Sequence, residues 1–170
     1  MNTSGDLLID AFGRIREVVH DVVEGLTEDQ LATRLDSGAN SIAWLVWHLT
    51  RVQDDHVSDA AETGQVWTSE GWAGRFELPF SRGATGYGHS SKDVARVSGV
   101  PAELLTGYHD DVHDRTVEYL GTLKVSDFDR IVDETWIPHV TLGARLISVI
   151  SDDLQHAGQA AFVRGALERR

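Results

Sequence analysis

The chain has 170 residues, 41% hydrophobic and 25% charged, with 27 acidic against 15 basic side chains and a net charge of −12. Size and composition lead us to expect one soluble globular domain over residues 1–170, long enough to bury a core. The acidic balance argues against a phosphate-neutralising nucleic-acid binder and against anionic lipid. The absence of cysteine excludes disulfides, thiolate metal sites and a cysteine nucleophile.

No apolar run approaches the roughly 18 residues that a membrane span needs. The opening MNTSGDLLIDAF lacks the basic start and long apolar stretch of a signal peptide, so a cytoplasmic location is expected.

The first periodic segment is residues 6–26, where Leu8, Phe12, Ile15, Val19, Val22 and Leu26 recur at intervals of three and four. Thr27 and Gln30 carry a capping-box pattern that opens a short turn through Leu31 and Leu35. After the loop 37–41 a second helix begins, SIAWLVWHLTRVQDDHVSDAAE. Residues 63–100 hold many Gly and Ser with Trp67, Trp72, Phe76, Phe80 and Tyr87, and no sustained period. They read as an ordered aromatic flap packed on a bundle. Pro101 suits the first turn of a third helix, and Pro138 breaks the mixed connection 126–137. Thr141 caps the last helix, LGARLISVISDDLQHAGQAAFVRGALE. With no evident strand pair, the expectation is all-α: a four-helix bundle with one long aromatic-rich loop between its second and third helices.

Two buried anomalies carry the chemistry. On the last helix Leu142, Leu146, Val149, Ile150, Ala157 and Ala160 share a face at 100° per residue, yet SDDLQHAGQ puts Asp152, Asp153 and His156 in or beside it. Ionisable groups there cost several kcal/mol unless paired. Asp152 and His156 stand at i, i+4, about 6 Å apart, a spacing that suits two ligands of one cation. Asp153 with His156 at i, i+3 is a second geometry, and periodicity does not choose between the aspartates. On the second helix His48 is embedded among Trp44, Leu45, Trp47 and Leu49. A lone buried histidine is commonly a satisfied core residue, but one metal site would explain both anomalies.

The other histidines read less sharply. His109 and His113 repeat the i, i+4 spacing among Asp110, Asp111, Asp114 and Arg115, as on a solvated face. His20 reads as surface, His56 lies two turns past His48, and His89 on the flap is placed to gate or line a pocket.

The segment NSIAWLVWHLTR, followed much later by a ligand-x-x-x-HAGQ helix, resembles the DinB-like superfamily of metal-binding four-helix bundles. More narrowly, GWAGRFELPF, TGYGHS and WIPHVTLGARLISVISDDLQHAGQAAFVRG resemble an actinobacterial branch related to mycothiol-dependent maleylpyruvate isomerase and mycothiol S-transferases. The resemblance spans nearly the whole chain. It implies a metal held by His48, Asp152 and His156, with Asp152 standing where many members have His and the isomerase Glu. Asp153 then becomes a group able to orient a histidine ring.

It further implies one divalent ion, zinc before nickel or iron, that turns a thiol such as mycothiol into thiolate for attack on a small electrophile, in detoxification or isomerisation. Arg51 and Arg145 are the candidate binders of substrate carboxylates, and Asp55 and His89 the candidate proton carriers. The expected partners are a small-molecule thiol and electrophile, with a homodimer as a possible assembly although no exposed apolar stripe is evident. The rival readings are a metal-dependent hydrolase and a non-catalytic metal-binding bundle.

Overall fold

The computed structural model describes residues 4–169. Four long helices build the bundle: α1 (Ser4–Val23), α3 (Ile42–Ala60), α7 (Ala102–Thr122) and α8 (Leu142–Leu167). The last three begin where the sequence supplies a start signal. Ser41 accepts from the Trp44 amide at the head of α3, and Thr141 from the Ala144 amide at the head of α8. Pro101 sits at the N-cap of α7 rather than inside its first turn. The short α2 (Glu28–Ala32) carries the full Thr27–Gln30 capping box.

The periodic apolar residues meet in one core: Phe12, Ile15 and Val19 from α1, Leu45 and Leu49 from α3, Leu105 and Val112 from α7, Leu146 and Val149 from α8. Each contributes about 1.5–3 kcal/mol through burial. Helix α3 is central, with residues 42–51 all buried. A polar residue on this helix is therefore held by packing on every side. Its contacts with α8 pair His48 with the Asp152–His156 turn and His56 with Arg145, so the two helices run antiparallel.

Two expectations need correction. The flap holds three short helices, α4 (Val66–Ser69), α5 (Trp72–Phe76) and α6 (Ser91–Val94). The connection before α8 contains a 3₁₀ turn (Val125–Asp129) and an antiparallel strand pair, β1 (Ile131–Asp133) with β2 (Val140–Thr141). Elements of two to five residues leave no period to read. The flap is ordered as expected: Trp67, Trp72 and Phe76 pack around Tyr108 of α7. Trp72 lies so close to Gly107 that a Cβ there would stand 2.8 Å from its ring.

Candidate metal centre

His48, Asp152 and His156 come together at the α3–α8 seam, each offering a ligand atom within 4.8 Å of the others. Both histidines are held by their Nδ1 side. His48 Nδ1 donates to the Thr85 carbonyl at 2.5 Å, and His156 Nδ1 donates to Gln159 Oε1 at 3.1 Å. Each acceptor is a bare oxygen, so each ring carries its proton on Nδ1 and keeps the Nε2 lone pair free. His156 Nε2 stands 3.7 Å from Asp152 Oδ1. The second oxygen, Asp152 Oδ2, is buried with no hydrogen-bond partner.

The donor set fits a divalent cation. Tetrahedral zinc bonds of about 2.0–2.2 Å place donors about 3.4 Å apart, which small side-chain rotations reach from here. Burial, with the neighbouring His156 adding to it, lowers the His48 pKa, while the Thr85 carbonyl acts the other way; the neutral, ligating form prevails at pH 7.

The flap is part of this site. Gly86 turns at φ +95° directly over the ring, where a Cβ would stand 2.6 Å from His48 Nδ1. Trp44 stacks on His48 with centroids 4.6 Å apart and planes 19° from parallel, and its indole N–H donates to His89 Nδ1 at 3.2 Å. His89 in turn lies on Trp47 and Phe80. His89 therefore braces the aromatic wall behind His48.

The remaining sequence candidates are distributed differently. Arg51 is fully buried and its guanidinium is engaged by Asp54 (3.3 Å), Tyr108 Oη (3.1 Å), Gln65 Oε1 (2.8 Å) and the Ala84 carbonyl (3.1 Å). It is not free to receive a substrate carboxylate. Asp55 accepts from Gln65 Nε2 at 2.6 Å. Arg145 pairs with Asp133 at 2.7 Å and donates to His56 Nδ1 at 3.2 Å. Asp55, His56, Asp133 and Arg145 line a polar cleft of about 430 Å³. It lies along the same helix pair as the three candidate ligands, two turns away.

Two further expectations are overturned. Asp153 touches no histidine: it is fully buried, both its carboxylate oxygens lack partners, and burial pushes its pKa well above the usual carboxylate range. His109 is not on a solvated face but wholly buried, its Nδ1 on Thr50 Oγ1, and burial lowers its pKa to about 3. His20, with its side chain 42% exposed, pairs at the surface with Asp110 at 2.8 Å. Sequence reasoning also missed Asp54, which gathers the Val66 and Trp67 amides, the Tyr108 hydroxyl, Ser58 and Arg51. It missed Gln159 too, whose position three residues past His156 was a legible signal.

Fold and donor set together define a DinB-like helical bundle with a candidate metal centre on its second and fourth long helices. The chain belongs to the mycothiol S-transferase family, whose model matches residues 7–169. A solved structure described as a conserved protein from Enterococcus faecalis is similar over 96% of both chains, with 26% identity and a TM-score of 0.90. No curated protein matches the chain. Among the described residues no helix is long and apolar enough to cross a membrane.

Proposed function

We propose that the protein is a metal-dependent thiol S-transferase or isomerase that uses a mycothiol-type thiol and works in the cytoplasm. His48, Asp152 and His156 hold one divalent ion, with zinc the first choice for two imidazoles and a carboxylate. The observation that carries this is the donor geometry: two Nε2 lone pairs, fixed by hydrogen bonds on the far side of each ring, beside a carboxylate oxygen that has no protein partner. A bound cation at these donors would supply the charge that keeps a thiol deprotonated at neutral pH, a role that no protein cysteine fills here.

The chain's own residues do the rest. Thr85 and Gln159 keep the histidines in the ligating tautomer. Trp44, with the flap behind it, excludes water from the His48 side. The cleft of Asp55, His56, Asp133 and Arg145 supplies donors and acceptors for the polar body of the thiol. Asp55, on the wall of that cleft and held by Gln65 Nε2, is the proton carrier of this reading, while His89 acts as a brace.

The test is elemental analysis of untagged wild type and His156→Ala, each incubated with zinc and desalted. We expect about one equivalent in wild type, and less than a tenth of that in a variant with unchanged helicity. Zinc-loaded wild type should then conjugate a small thiol to an electrophilic carbon. Wild type that stays empty in zinc, nickel and iron would overturn the site.

A further inference from the structure

One ring nitrogen of His56 is committed by its neighbours. Arg145 Nη1 stands 3.2 Å from His56 Nδ1. A guanidinium has only donors, so Nδ1 accepts, and the proton of the neutral ring is on Nε2. Arg145 is itself fixed: its other terminal nitrogen donates to Asp133 Oδ2 at 2.7 Å, and Asp133 Oδ1 takes the Thr135 amide and hydroxyl at 2.9 and 2.6 Å. Asp55 does not compete for the ring. Its Oδ2 stays 4.0 Å from Nδ1, and its Oδ1 is held by Gln65, whose amide is oriented by Arg51.

The other nitrogen is uncommitted. His56 lines the cleft of about 430 Å³ with its side chain 37% exposed, and its Nε2–H finds no acceptor among the described residues. Burial lowers the His56 pKa and Arg145 adds to that, while Asp55, Asp59 and Asp152 act the other way; the ring is neutral at pH 7.

We infer that His56 is a positioning residue whose Nε2–H binds an uncharged oxygen, carbonyl or hydroxyl, on the body of the thiol whose sulfur reaches His48, Asp152 and His156. This rests on the thiol reading of the metal centre and adds the residue that selects among thiols. Charge sets the kind of acceptor. The cleft holds the carboxylates of Asp55, Asp59 and Asp133 against the single guanidinium of Arg145, so an anionic body is repelled where an uncharged oxygen is not. Arg145, engaged through both terminal nitrogens, serves His56 instead of a substrate carboxylate.

Distance sets the length. His56 stands eight residues past His48 on α3, about 12 Å along the axis. A thiol the size of cysteine spans roughly 5 Å from sulfur to carboxylate, too little to touch both places. The thiol selected is therefore an extended one, with acceptor oxygens beyond its cysteinyl unit.

Two measurements on the zinc-loaded protein test this. Nitrogen NMR of the histidine rings should show His56 Nε2 protonated and Nδ1 bare; the opposite tautomer would overturn the inference. Isothermal titration calorimetry then compares mycothiol with N-acetylcysteinamide, an uncharged thiol too short to reach His56. His56→Leu, at unchanged helicity and zinc content, should weaken mycothiol about tenfold or more and N-acetylcysteinamide less than about twofold. His56→Gln, which sets an amide N–H near the position of Nε2, should hold mycothiol to within about threefold of wild type. A histidine with a merely structural role would give equal losses for the two thiols and no rescue by Gln. Equal losses, or no loss for mycothiol, would overturn the inference and leave the thiol reading standing. Wild type that binds neither thiol would overturn both.

Discussion

Two polar clusters lie on neighbouring turns of α3, and they differ in how completely they are satisfied. Around Arg51 and Asp54, 0% and 1% exposed, the hydrogen bonds close on themselves: Asp54 receives two backbone amides, two hydroxyls and a guanidinium, and Arg51 reaches four different groups. One turn earlier, His48 faces His156 and Asp152 with lone pairs that no protein group meets. A buried pair that is fully bonded holds the fold, here by stitching the flap to α3. A cluster whose donors all point inward and lack protons is organised for something absent from the chain.

Breaking the satisfied cluster should have the largest effect. Asp54→Ala leaves the Arg51 guanidinium buried without its charge partner and releases the Val66 and Trp67 amides. A loss of about 3–5 kcal/mol is expected in urea unfolding. A loss below about 1 kcal/mol would show that the flap is held by its aromatic contacts alone. The unsatisfied cluster should respond above all in ligand affinity. Gly86→Ala places a methyl against His48 Nδ1 at a backbone angle that disfavours side chains. Zinc affinity should fall about 10–100-fold in competition with a chromophoric chelator. Unchanged affinity would mean that the Thr85 carbonyl does not set the His48 ring.

The contrast also explains what the sequence could tell. The long helices were legible because 19 to 26 residues display a 3.6-residue period and their caps are local. The Asp152–His156 pair was legible for the same reason, being one turn of one helix. Asp54 was not, because the amides that identify its role return from residues 66 and 67 through a loop without period. Thr85 contributes a backbone carbonyl, which leaves no trace in residue type. His109 was misread from its charged neighbours, although its line with Leu105, Val112 and Thr116 marks the buried face. Asp152 and Asp153 differ by 100° around α8, and only packing against α3 decides which one meets the histidines.

That last pair sharpens the comparison at smaller amplitude. Asp153 has neither the partners of Asp54 nor the histidines beside Asp152. Asp153→Asn should raise stability by about 1–2 kcal/mol, because a neutral group replaces an unpaired acid in the core, and zinc content should not change. Asp152→Asn should do the reverse, losing zinc at nearly constant stability. If Asp153→Asn loses the metal instead, the ligand assignment on α8 passes to Asp153.

The smallest effect concerns His109, buried in neutral form. Thr50 Oγ1 donates to the Val46 carbonyl, so its oxygen accepts from His109 Nδ1–H. The folded pKa of about 3 lies below the unfolded value near 6.5. Above pH 6.5 neither state binds the proton and stability is full. As pH falls below 6.5, the unfolded chain takes up a proton that the native core refuses, and stability declines by up to about 1.4 kcal/mol per pH unit until native His109 also titrates. Between pH 6.5 and 5.5 the loss is about 1 kcal/mol. His48, His56 and His89, also lowered by burial, add to the acid slope. In chelated protein His109→Gln should remove one histidine's share of that slope, whatever the variant does to stability at pH 7. An acid limb identical to wild type would mean that His109 opens to water before the core unfolds.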